Sequence, residues 1–189
     1  MTSAQPSVRP LPWEAVEGSP APLGATYIPA ERAYNFALYS KHATAVTLLL
    51  YSESDPVNPV DTYAFRYPGN KTGRIWHCRL PAARVEQARY YAYRVEGPFD
   101  LANGHRFDPE KILLDPYADG VFFPPGHSRA AASRPGPNDG QALLGVIEIQ
   151  GAPFDWGDDV RPRHGHDAVI YEMHVKGFTA RANSGVEDP

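Results

Sequence analysis

The sequence predicts an all-β protein, a sandwich of two antiparallel sheets, with an element of a different kind near its end. Three observations predict it. Five short runs alternate apolar and other residues over about sixty positions, with a turn signal after each. The chain of 189 residues carries 20 prolines and 16 glycines, which disfavour a helical bundle because both weaken helix interiors. Aromatic residues make up 12%, with 11 tyrosines, a usage that suits pleated, half-buried strands and argues against disorder.

The elements follow in order. Residues 1–30 hold Pro6, Pro10, Pro12, Pro20, Pro22 and Pro29, which read as an extended, partly polyproline arm. Phe36 and Leu38 alternate with Ala37 and Tyr39, and Ser40-Lys41-His42 breaks the run. Val46, Leu48 and Leu50 form the second strand; Asp55-Pro56 and Asn58-Pro59 mark a loop. Tyr63, Phe65 and Tyr67 alternate as a third, closed by Pro68-Gly69-Asn70. Ile75 to Leu80 is the fourth, with Trp76, Cys78 and Leu80 on one face and His77 and Arg79 on the other. Tyr91, Tyr93 and Val95 are the fifth, ended by Gly97-Pro98. Gly104 to Ala118 reads as a turn leading into Ile112-Leu113-Leu114, residues 124–140 as a mobile loop by composition, and Leu143 to Ile149 as a strand completing the sandwich. Ala168 to Val175 is apolar on both faces, the pattern of a buried parallel strand, with only fourteen residues after it. A parallel partner needs a crossover of about a dozen residues or more, so a second domain is expected to begin here without completing.

Composition narrows the function. A formal net charge of -4 with no basic stripe argues against nucleic-acid binding. No run of about 18 apolar residues suggests a membrane span, and the N-terminus lacks the apolar core of a secretion signal, so a cytoplasmic protein is expected. The single Cys78 rules out an internal disulfide and a cysteine cage for zinc, and reads as a buried, inert thiol. No phosphate-binding loop, dinucleotide fingerprint or nucleophile elbow occurs, so no cofactor is expected. His164-x-His166 with His174 falls short of the convergent ligands zinc needs. Asp155, Asp158 and Asp159 lack the spacing of a calcium loop and read as a solvated turn.

Several blocks resemble one family. Pro22-Leu23-Gly24-Ala25-Thr26, Asn35-Phe36-Ala37-Leu38-Tyr39-Ser40, Tyr91-Ala92-Tyr93-Arg94-Val95-Glu96-Gly97-Pro98 and the run from Gly104 to Ala118 (GHRFDPEKILLDPYA) are similar to the N-terminal part of bacterial glycogen-debranching enzymes of the isoamylase type. Phe154-Asp155-Trp156-Gly157 and Val169 to Thr179 continue the likeness. Asp108 and Glu110 stand where that family commonly has Asn, and the tryptophan often found before the barrel strand is missing from residues 161–166. The resemblance implies a Pro-rich arm (1–20), an immunoglobulin-like sandwich of the carbohydrate-binding module 48 type (21–150), a linker (151–167) and the first strand of an incomplete (β/α)8 barrel of glycoside hydrolase family 13 (168–189). The implied activity is hydrolysis of α-1,6 branch linkages in glycogen or limit dextrin. Retaining glycosidases use two carboxyl groups about 5 Å apart. In this family they lie on later barrel strands, so no catalytic residue is expected in this chain, and the chain alone is expected to be inactive. Its expected partners are an α-glucan and the catalytic barrel.

A sugar site needs an exposed aromatic face with planar polar groups around it. Trp76, Trp156 and Tyr90 are the candidate substrate-binding residues. Alternation turns Trp76 toward the core, linker packing competes for Trp156, and Tyr90, like Tyr39, is expected to face outward. Trp13 reads as an anchor for the arm. Two other functions compete: a stand-alone α-glucan-binding module, and a structural domain that docks to a separate partner.

Overall fold

The computed structural model describes residues 17–147, 155, 157–159, 165, 168–180 and 182–186. The chain divides into two units, Met1–Gln150 and Gly151–Pro189. In the first, alternation has produced two antiparallel sheets. One is four-stranded, in the order β1 (Gly24–Ile28), β2 (Ala33–Tyr39), β6 (Ile75–Pro81), β5 (Lys71–Thr72). The other is five-stranded, in the order β10 (Val121–Phe122), β11 (Leu144–Val146), β7 (Tyr90–Glu96), β3 (Ala45–Tyr51), β4 (Asp61–Ala64). A separate hairpin joins β8 (Phe99–Asp100) to β9 (His105–Arg106).

The inward faces meet in one core. Phe36, Leu38, Trp76, Cys78 and Leu80 come from the first sheet; Val46, Leu48, Leu50, Tyr91, Tyr93 and Val95 come from the second. Ordinary pleat geometry sends alternate residues to opposite faces, and these are the residues the alternation selects. Phe65 stands edge-on to Trp76 with ring centroids 6.4 Å apart, and Tyr91 is edge-on to Phe36 at 5.5 Å, arrangements that ring quadrupoles favour. Cys78 is fully buried, and loss of hydration drives its thiol pKa strongly upward, so it stays protonated and inert.

Four expectations shift. Gly24–Ile28, read as part of the arm, is a full edge strand paired along β2. The alternation at Tyr63, Phe65 and Tyr67 outlasts its strand: β4 ends at Ala64, and Tyr67 is 73% exposed. The segment 124–140 contains the short helix α1 (Arg129–Ser133), capped by Ser128 Oγ, which accepts from Ala131 N–H. The strand expected to end at Ile149 is observed at Leu144–Val146, with Ile147 in the core; residues 148–149 lie outside the described residues.

Both sheets have their outer faces partly covered. On the first, Asn35 Oδ1 accepts from Ser19 N–H at 2.7 Å while Asn35 Nδ2 donates to Ser19 O at 3.0 Å. Asn70 Nδ2 donates to Glu17 O at 3.2 Å, and His77 Nδ1 lies 2.9 Å from the same carbonyl. Residues 17–19 thus run against the sheet, and Gly18, at φ 90°, comes so close that a Cβ there would meet the Cys78 carbonyl carbon at 2.7 Å. On the second sheet, residues from the segments before β10 and between β10 and β11 lie against the strands. Ile112 and Ala142 pack with Leu49, Tyr51, Tyr90, Ala92 and Leu144 of the sheet in a second cluster.

In the second unit, Ala168–His174 forms no strand, and Val175–Thr179 is a short helix, α2, with His174 Nδ1 accepting from Gly177 N–H. Val169, Ile170 and Tyr171 are 75–94% exposed. The buried parallel strand expected here is therefore not observed. Among this unit's described residues no second strand forms to take its backbone hydrogen bonds. No helix of the described residues is long and apolar enough to cross a membrane.

Candidate functional site

The run from Gly104 to Ala118 proves to be a strap along the second sheet, with Phe107 and Ala118 packed against the inner core and Ile112 in the outer cluster. Asp108 accepts from Glu110 N–H at 3.0 Å and from Gly136 N–H at 2.9 Å, and these bonds hold its carboxyl below the usual range. The charge at this position thus ties the strap to the loop at 136. Lys111 is buried and donates from Nζ to Ala131 O at 2.7 Å, at α1. Ile112 is held from both sides by the buried Asn138, whose Oδ1 accepts from Ile112 N–H at 2.8 Å and whose Nδ2 donates to Ile112 O at 3.0 Å. Leu113 exchanges both backbone bonds with Tyr93 and so extends the sheet by one residue. Asp115, also buried, accepts from Tyr91 O–H at 3.0 Å and from Tyr117 N–H at 2.8 Å. Burial, the main cause, raises its pKa, with the Asp119 charge adding to it.

Two of the sequence-predicted sugar contacts are removed by this architecture. Trp76 is 1% exposed in the core, with the Lys71 ammonium 4.4 Å from its ring centroid, so it offers no ring face to a ligand. Tyr90 does point to the outer face of its sheet, as its place in the alternation requires. Phe122 of β10, a strand of the same sheet, covers it: the two rings stack at 4.1 Å and 12°, and Tyr90 is 7% exposed. Trp156 lies outside the described residues, as do Trp13, His164 and His166. Asp155 accepts from Gly157 N–H at 2.9 Å, the turn expected of it. Among the described residues no group of three or more His, Cys, Asp or Glu converges on a metal position.

Among the described residues of the first unit, the exposed aromatic rings are Tyr39, Tyr67, Phe99, Tyr117 and Phe123. Tyr39 faces outward as expected. Phe99 belongs to the β8–β9 hairpin, where the His105 ring lies 4.4 Å from that of His42; burial first and then the His105, Lys41 and Arg74 charges lower the His42 pKa. Phe123 is set apart by what adjoins it. It stands edge-on to His127 at 5.3 Å and 83°, and His127 lines a cleft of about 350 Å3 together with Leu113, Leu143, Ala132, Arg129 and Gln141. His127 Nδ1 is engaged at Gln141 O, 3.0 Å away, and Nε2 has no hydrogen-bond partner among the described residues. The Arg129 and Gln141 side chains make no hydrogen bond among the described residues. An aromatic face beside an apolar cleft rimmed by imidazole, guanidinium and amide groups can stack on the apolar side of a pyranose while planar groups bond its hydroxyls.

None of these residues was a candidate from the sequence: His127, Arg129 and Ala132 fall in the segment 124–140, which looks like a loop by composition, and Phe123 and Gln141 flank it. The signal that marks them is Val121-Phe122-Phe123, an apolar run ahead of the Ser128 helix cap.

The family Carbohydrate-binding module 48 (Isoamylase N-terminal domain) matches residues 22–118, from just before β1 to the end of the strap. "Isoamylase 3, chloroplastic" of Oryza sativa subsp. japonica is 36% identical over 191 residues, covering 94% of this chain and 22% of that protein. "Glycogen debranching enzyme" of Serratia proteamaculans (strain 568) is 39% identical over 171 residues, covering 88% of this chain and 24% of that protein. The chain thus spans less than a quarter of the length of these curated relatives. The crystal structure of GBS pullulanase SAP in complex with maltotetraose aligns with a TM-score of 0.49 at 19% identity, over 93% of this chain and 21% of that one.

Proposed function

Because the chain belongs to the carbohydrate-binding module 48 (isoamylase N-terminal domain) family, we propose that it is the accessory module of a glycogen-debranching enzyme and that it binds α-glucan itself. The observation that carries the reading is the exposed Phe123 ring beside the cleft of His127, Arg129 and Gln141. The family match ends at Ala118, so the module's shared strap supplies one wall of the cleft and the segment after it supplies the aromatic and polar rim.

The rest of the assignment concerns a longer protein. The enzyme hydrolyses α-1,6 linkages through two carboxyl groups carried by a barrel whose first strand is residues 168–175. The exposed apolar run Val169-Ile170-Tyr171 supports this, because a barrel would bury it, and so does the small share of each relative's length that this chain spans. On this reading the module holds the polymer near the cleft where the barrel works, and this chain by itself hydrolyses nothing.

Native gel electrophoresis with and without glycogen in the gel tests the binding. The 189-residue chain is expected to be retarded by glycogen, and Phe123→Ala to weaken retardation about tenfold, roughly 1.4 kcal/mol. A wild-type chain that runs unretarded refutes glucan binding. A Phe123→Ala chain retarded like wild type moves the site elsewhere.

A further inference from the structure

We propose that the module has a second carbohydrate site, a cleft beside the turn between β1 and β2 that takes one or two glucosyl units. This inference rests on the glucan-binding reading and adds a separate subsite to it. The cleft is about 350 Å3, at the small end of the roughly 300–1,000 Å3 typical of ligand pockets. Its lining includes Val85, Ala88, Ile147, Tyr27, Tyr34, Arg32 and Glu86. Val85 and Ile147 are core residues and give it an apolar floor. The rings of Tyr27 and Tyr34 lie 5.0 Å apart and are inclined at 59°, so the wall they form is angled, a shape that suits a puckered ring better than a flat one.

Arg32 and Glu86 decide the ligand class. Arg32 ends the single 3-10 turn Pro29–Glu31 in the left-handed conformation, φ 48° and ψ 54°, where its N–H donates to Pro29 O. Glycine or asparagine fills such a position with less strain, so the arginine is there against the backbone's preference. Its neighbour Glu31 is paired with Arg79 at 2.6 Å, whereas the Arg32 guanidinium has no hydrogen-bond or ion-pair partner among the described residues. Strained backbone that is retained beside a cleft points to a use for the side chain. Glu86 lines the same cleft, which disfavours a phosphate or carboxylate ligand. A neutral polyhydroxyl ligand suits both: guanidinium donors and carboxylate acceptors can each bridge vicinal hydroxyls.

Arg32→Gly is the informative variant, since glycine adopts the left-handed conformation freely and the fold should be kept. Titration of the 189-residue chain with maltotetraose, followed by 1H–15N NMR, reads both sites at once. The expected result is saturable shifts at Val85, Ala88 and Ile147 as well as around Phe123 and His127. Arg32→Gly should weaken the first set about tenfold and leave the second unchanged; Phe123→Ala should do the reverse. Shifts confined to the Phe123 region overturn the second site and leave glucan binding standing. Shifts at Val85, Ala88 and Ile147 that Arg32→Gly leaves intact also overturn it. No shifts anywhere overturn both readings.

Discussion

Asn138→Ala tests whether one buried amide holds the strap in place. Asn138 is 2% exposed, and its side chain satisfies both backbone groups of Ile112, itself 3% exposed. Alanine keeps the Asn138 carbonyl, which accepts from Gln141 and Ala142 N–H, so the local turn survives and the loss is confined to the two side-chain bonds. Each buried backbone group left without a partner costs about 1–3 kcal/mol, so the sum is roughly 2–6 kcal/mol. Ile112 lines the Phe123 cleft, so water can reach part of the gap, which places the expectation near the lower end, about 3 kcal/mol. For a chain of this size that corresponds to a fall in Tm of roughly 6–12 °C. Thermal unfolding by circular dichroism measures it, and amide exchange at Ile112 localises it. Asn138→Asp is the control: it retains an acceptor for Ile112 N–H but sets a carboxylate against Ile112 O, so it should cost at least as much. A loss below about 1 kcal/mol, or an aspartate variant as stable as wild type, refutes the reasoning.

Asp115 gives a pH dependence of defined sign. Burial raises its folded-state pKa above the 3.8 of a free carboxyl, so the folded protein holds the proton more tightly than the unfolded chain. Its contribution to wild-type stability therefore falls as pH rises from about 4 through the folded pKa, and levels off once the carboxyl is ionised. Asp115→Asn lacks this slope, so the Tm of the variant relative to wild type should climb across that window; a relative Tm that falls with rising pH contradicts it. Trp76→Ala should lose about 3–5 kcal/mol through the cavity it leaves in the core, while the folded fraction keeps its affinity for glycogen in retardation assays. Weakened retardation at unchanged Tm would return Trp76 to the binding surface.

The two sheets were legible because alternation is a local property of the pleat. Phe36 and Leu38, Val46, Leu48 and Leu50, Trp76, Cys78 and Leu80, and Tyr91, Tyr93 and Val95 all enter the core as their positions dictate. Burial of Trp76 followed from the same rule. β1 was less legible, because Pro22 and Pro29 flank a five-residue strand and its signal merges with the arm. The site was not legible, since His127 and Arg129 lie in a segment, 124–140, whose composition resembles an unstructured loop, and Phe123 and Gln141 only flank it.

By itself, then, the sequence determined the four main strands, β2, β3, β6 and β7, and which face of each is apolar, because that alternation depends on near neighbours along the chain. It also carried the family, through blocks that keep their order. Only the tertiary structure decided what lies against the outward faces. Tyr90 faces away from the core as the alternation says, yet it is buried, because Phe122 of β10 stacks on its ring and Ile112 and Ala142, from segments distant in sequence, pack into the same cluster. Whether an outward side chain meets water or another layer depends on contacts between segments distant in sequence. The aromatic ring that remains exposed beside a cleft is for that reason Phe123, and Tyr90 is covered.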